Sequence, residues 1–150
     1  MIDIHTGGAW RGSALELATH VRPLFRDFLS QALAKDIKLA ICTFSPQVKQ
    51  ISDVLRITFP NYCDSIVIRG RDLSWSYEGN GMKEGKQPYM ASAATELQHR
   101  HPGEEFSRNT TLLIDDDREN VLLALQHGTR AIWLNPKDHS QLLEDVRELR

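Results

Sequence analysis

Short apolar runs alternate along this chain with longer stretches in which apolar residues recur every three or four positions. The first long stretch opens on Ser13 and Glu16, a capping-box pair. After it Leu17, Val21, Leu24, Phe25, Phe28 and Ala32 fall on one helical face. Pro23 interrupts that face, and its fixed φ and missing N–H suit a first turn, so the spacing predicts a short helix and then a longer one. The run 37–42 is nearly all apolar, the composition of a strand buried on both sides. Ser45 and Pro46 then predict an N-cap and a first-turn proline for a helix whose inner face carries Val48, Ile51 and Leu55. A second strand is expected at 65–68, and the polar loop 69–85 leads to a helix near 88–99. A third strand is expected at 111–114, followed by a helix carrying Val121, Ala124 and Leu125. Gly128 stands where a helix end favours a left-handed residue. A fourth strand at 131–134 precedes an amphipathic helix marked by Leu142, Leu143, Val146 and Leu149.

Strands alternating with helices predict one α/β domain over 1–150. The expected form is three-layered and Rossmann-like, with a mainly parallel sheet and right-handed crossovers. In such sheets ligands bind beyond the carboxyl ends of the strands, so the polar residues there are the candidates for chemistry.

Composition narrows the partners. The 150 residues, 41% hydrophobic, suffice for one domain with its own core. Eighteen Lys and Arg against 20 Asp and Glu leave no basic field for nucleic acid. No apolar run approaches the roughly 18 residues of a membrane span. Met1–His5 lacks the basic head and apolar stretch of a signal peptide. A cytoplasmic protein with neither membrane nor nucleic-acid partners is expected. Cys42 and Cys63 share no metal-ligand spacing and read as reduced, buried thiols. No glycine-rich dinucleotide or P-loop fingerprint occurs.

The third strand runs into Asp115-Asp116-Asp117, with Asn120 just beyond. Adjacent carboxylates repel unless a cation or hydrogen-bond donors offset them, and hard oxygen ligands at a strand end suit Mg²⁺. Capping of the next helix is the competing explanation, although one aspartate would serve for that. The strand at 37–42 ends in Thr43-Phe44-Ser45-Pro46, where a hydroxyl beside free helix N–H groups can hold a phosphate oxygen or simply cap the helix. Lys86 precedes a helix and can neutralise a phosphate as a point charge, with Lys83 a rival for that role.

The order of these groups, Thr at one strand end, then Lys, then Asp-Asp-x-x-x-Asn, resembles the haloacid dehalogenase (HAD) superfamily over about 37–135. The segment 114–121 looks particularly like the fourth motif of its small magnesium-dependent phosphatases. By that resemblance Thr43 and Phe44 would form the phosphate-binding segment. Lys86 would offset charge on phosphate and nucleophile, and Asp116 would ligate Mg²⁺. Asp115 would belong to the metal site close behind it, orienting a water or Lys86, and Asn120 would secure the loop. The implied activity is hydrolysis of phosphate monoesters through a phosphorylated aspartate. The expected substrate is a phosphorylated small molecule or, because no cap domain fits into the loops, a phosphoprotein. Trp10, Trp75 and Tyr77 either line the entrance or pack onto the core. A non-catalytic domain that binds phosphate, Mg²⁺ or a protein through the same strand ends is the alternative.

The family's first motif, Asp-x-Asp-x-Thr after an apolar strand, is absent. Asp3-Ile4-His5-Thr6-Gly7 is either a degenerate copy, with Asp3 as nucleophile and His5 as general acid/base, or the turn that normally follows a missing motif. In the family that strand lies mid-sheet. Its loss would leave backbone groups unpaired at about 1–3 kcal/mol each, against a total stability of about 5–15 kcal/mol. The expectation is therefore that Met1–His5 pairs in or beside the sheet, that a second copy completes it in a homo-oligomer, or that the natural protein is longer. The chain as it stands is expected to be impaired or inactive.

Overall fold

The computed structural model describes residues 9–77 and 84–148, and over them the chain is mixed α/β with short parallel strands in two small sheets. It divides into two compact units, Met1–Ser76 and Tyr77–Arg150, each with one parallel strand pair.

In the first unit Ser13 caps helix α1 (Ala14–Thr19), its hydroxyl accepting from the Glu16 N–H at 3.1 Å. Pro23 stands in the first turn of α2 (Pro23–Ala34), as its missing donor requires. Leu17, Ala18, Val21 and Val54 form one core cluster, closed over by Trp10 and Ala14. Leu55, Phe59 and Ile66 form another, flanked by Leu29, Leu33, Ile41, Ile51 and Ile68. Helix α3 (Val48–Thr58) thus gives the neighbours Val54 and Leu55 to two different cores.

Strand β1 (Ala40–Cys42) pairs in parallel with β2 (Val67–Arg69). It is shorter than the apolar run 37–42 because the start of that run closes α2. Asp36 takes a left-handed φ of 60°, and the Ile37 N–H donates to the Ala32 carbonyl at 3.0 Å. The strand is also less buried than its composition suggests: Ala40 is exposed, and Ile41 and Cys42 are half-buried. Among the described residues it has one strand neighbour, not two. Cys42 and Cys63 are half-buried rather than buried, and no disulfide joins them.

The start of α3 differs from the expectation. Its N-cap is Gln47, not Ser45, and Pro46 lies outside the helix. Thr43 Oγ1 accepts from the Ser45 N–H at 3.1 Å, and Ser45 Oγ accepts from the Gln47 N–H at 3.2 Å. These local bonds hold 43–47 as consecutive turns in competition with helix.

In the second unit strand β3 (Leu112–Asp115) pairs in parallel with β4 (Arg130–Trp133). Helix α4 (Gln87–Arg100) precedes β3, α5 (Arg118–Gln126) packs on both strands, and α6 (Leu142–Glu148) packs on β4. Gly128 ends α5 with φ +76°, as its position predicts. Val121 and Ala124 are buried as expected, but Leu125 and Leu143 are exposed. The expected pairing of Met1–His5 and the reading of Asp3 and His5 lie outside the described residues. Lys83 and Leu149 lie outside them as well.

Candidate functional site

Gly85 sets up the second unit's site. Its φ is +56°, and a Cβ there would meet Asn120 Oδ1 at 2.8 Å and Leu123 Cδ1 at 3.1 Å. Glycine alone lets the backbone pass this close to α5 in a left-handed turn. The next residue, Lys86, is the N-cap of α4, and its side chain turns onto the end of β3. Lys86 Nζ lies 2.9 Å from Asp115 Oδ2, with side-chain exposures of 16% and 2%.

Asp115 is held on both oxygens. Oδ1 accepts from the Asp117 N–H at 3.0 Å, while Oδ2 accepts from Asn120 Nδ2 at 3.3 Å as well as from Lys86. Its carbonyl accepts from the Leu134 N–H at 2.8 Å, extending the ladder past β4. Asn120 is itself buried, so the amide that fixes the carboxylate is held by packing. Lys86, Asp115 and Asn120 therefore converge.

The three consecutive aspartates separate into three environments. Asp115 is buried and paired; Asp116 is exposed; Asp117 caps α5, its Oδ1 accepting from the Glu119 N–H at 2.9 Å. A lysine, solvent and a helix N-terminus each offset one charge, so their adjacency does not require a cation. The Asp116 backbone is pinned by Trp133, whose Nε1 donates to its carbonyl at 2.9 Å. The Arg118 guanidinium lies 3.9 Å from the centre of the same indole ring. Sequence reasoning missed Trp133 and Arg118. A tryptophan at the end of β4, read beside the neighbouring strand end, was the available signal.

The described donors do not complete a magnesium site. Both Asp115 oxygens are engaged, Asp117 caps α5 through Oδ1, and no three His, Cys, Asp or Glu side chains gather among the described residues.

In the first unit Thr43 and Phe44 follow β1. The Thr43 N–H donates to the Arg69 carbonyl at 2.9 Å, and the Arg71 N–H donates to the Ser45 carbonyl at 3.0 Å. Gly70 sits between these clasps, where a Cβ would meet Val48 Cγ2 at 2.3 Å and the Ser45 carbonyl at 2.7 Å. The Thr43 hydroxyl accepts from Ser45 and keeps its own hydrogen to donate. Phe44 is exposed, with the Arg71 guanidinium 5.2 Å from its ring centre. Trp10 packs on the α1 core, Trp75 donates to the Gly70 carbonyl at 2.7 Å, and Tyr77 lines a cavity beside α4.

Among the described residues no helix is long and apolar enough to cross a membrane. Comparison with known families, curated proteins and solved structures finds no match, so the functional reading rests on the residues and their geometry.

Proposed function

We propose that this chain is a HAD-type phosphohydrolase-family protein directed at phosphate monoesters, impaired or inactive as its sequence stands. The observation that carries the reading is the meeting of Lys86 and Asp115 at the carboxyl end of a parallel strand. A buried carboxylate fixes the ammonium at the strand end, where its charge would meet a phosphoryl oxygen. Thr43, at the end of the other unit's first strand, supports the reading with a hydroxyl free to donate. Asp116, exposed on a backbone pinned by Trp133, is a carboxylate at the β3 end open to a cation. Magnesium dependence belongs to the proposal on that ground.

The finer architecture goes with this reading: a three-layer, Rossmann-like domain with a mainly parallel sheet. Parallel pairing in both units and a helix after each strand support it. A second copy completing the sheet, a cytoplasmic setting, and a phosphorylated small molecule or phosphoprotein as substrate complete the proposal. The non-catalytic alternative draws support from the three aspartates, each already accounted for without a metal.

Hydrolysis of an aryl phosphate, followed with and without Mg²⁺, is the test. Weak Mg²⁺-dependent turnover that disappears in Asp3→Asn would make Asp3 the nucleophile of a degenerate motif. No turnover, with binding of the aryl phosphate retained, is the outcome expected when the motif is missing. Turnover indifferent to both Asp3→Asn and Thr43→Val would refute the proposal.

A further inference from the structure

A cavity of about 410 Å³ opens along one face of α4. Gln87, Met90, Ala94 and Gln98 line it at helical spacing, opposite Phe106 and Arg108 from the segment before β3. Lys86, Asp115 and Asp116 are not part of its wall, so it is a different place from the phosphate site proposed above.

Gln87 is the informative residue. It is 7% exposed, and its side-chain nitrogen is buried with no hydrogen-bond partner. Native structures rarely leave such a donor unsatisfied without a reason. The next wall residues along the helix, Met90, Ala91 and Ala94, offer no side-chain acceptor. The Gln98 amide is committed elsewhere: Nε2 donates to the Glu104 carbonyl at 2.6 Å, and Oε1 accepts from the Phe106 N–H at 3.3 Å. The hydroxyls of Tyr77, Thr95, Ser107, Thr111 and Thr129 also line the wall, and none of them accepts from the Gln87 amide.

The charged lining is of one sign. Arg108 is exposed on the wall, no carboxylate belongs to it, and Arg108 forms no ion pair among the described residues. On the same wall lie Met90, Ala91, Ala94 and Phe106, an apolar stretch suited to a hydrocarbon body.

We propose that the cavity binds a small organic carboxylate with an apolar body and a second oxygen acceptor. Its charge is countered by Arg108, its body lies on Met90, Ala94 and Phe106, and the second oxygen accepts from the Gln87 amide. A volume of about 410 Å³ is within the usual range for a small-molecule site.

Amide NMR titration of the full chain with 4-oxo-4-phenylbutanoate tests this. Saturable shifts at Ala91, Ala94, Phe106 and Thr111 are expected. Arg108→Gln, or the neutral amide of the probe, should weaken binding about two- to fivefold, as for an exposed ion pair. Gln87→Leu, or 4-phenylbutanoate in place of the ketone, should weaken it about three- to tenfold. Ala94→Trp fills the cavity from a half-buried position and should abolish saturation while the spectrum stays folded. The proposal is overturned by absent saturation, by shifts scattered over the chain, or by affinity unchanged in both Arg108→Gln and Gln87→Leu.

Discussion

Asp115 is 4% exposed and holds Lys86 at 2.9 Å, so removing Lys86 takes the ion-pair partner from a buried carboxylate. Lys86→Met is expected to destabilise the fold by about 3 kcal/mol, whereas Lys86→Met with Asp115→Leu should recover much of the loss. Denaturant unfolding of both variants measures the coupling. If the single and double variants unfolded at the wild-type midpoint, the pair would not be structural. A second residue-scale effect lies at Asp138. The Ser140 hydroxyl, at 2.7 Å, and its backbone N–H, at 3.0 Å, hold that carboxyl below the ordinary aspartate value, with His139 assisting. A carboxylate with a lowered folded pKa stabilises above its unfolded value near about 3.9, and that contribution fades as pH falls through the folded value. NMR titration of Asp138 should show the lowering, and Ser140→Ala should move the titration back up. At this scale residue type singled out Lys86 and Asp115, which the structure brings together. It was silent on Trp133, Arg118 and the isolation of Gln87, because those depend on neighbours distant in the chain.

Helix faces were legible because burial follows their period. Leu17, Val21, Phe25 and Ala32 are buried, and Leu24 and Phe28 are half-buried, on the face their spacing predicts. The period failed at Leu125, which continues the apolar pattern of α5 but is 51% exposed. Leu55→Ala, at 1% exposure, should cost about 2–5 kcal/mol, while Leu125→Ala should change stability by less than about 0.5 kcal/mol. Thermal unfolding of the two variants would expose an error in this burial pattern. Element ends were less legible, since they depend on turn chemistry: Ser45 and Pro46 look like a helix start but belong to the turns before Gln47. Two left-handed glycines allow a comparison. Gly128→Ala meets nothing within 4 Å and should cost about 1–2 kcal/mol from backbone strain alone. Gly85→Ala adds the 2.8 Å approach to Asn120 and should cost more, also disturbing the Lys86 pair. Equal unfolding midpoints for the two would contradict the close approach.

At the scale of the whole molecule the class of the fold was legible from strand–helix alternation, and both strand pairs are parallel as that alternation requires. The extent of the sheet was not, because pairing beyond each two-stranded unit depends on partners that no local pattern specifies. The central claim, a site for phosphate monoesters at Lys86 on the β3 end, is best tested by binding rather than turnover. The measurement is an amide NMR titration of the full chain with phenyl phosphate in the presence of Mg²⁺. Saturable shifts are expected at Lys86 and Asp116, with at least about a tenfold loss of affinity in the Lys86→Met, Asp115→Leu double variant. Absence of saturable binding, or binding unchanged in the double variant, would contradict it.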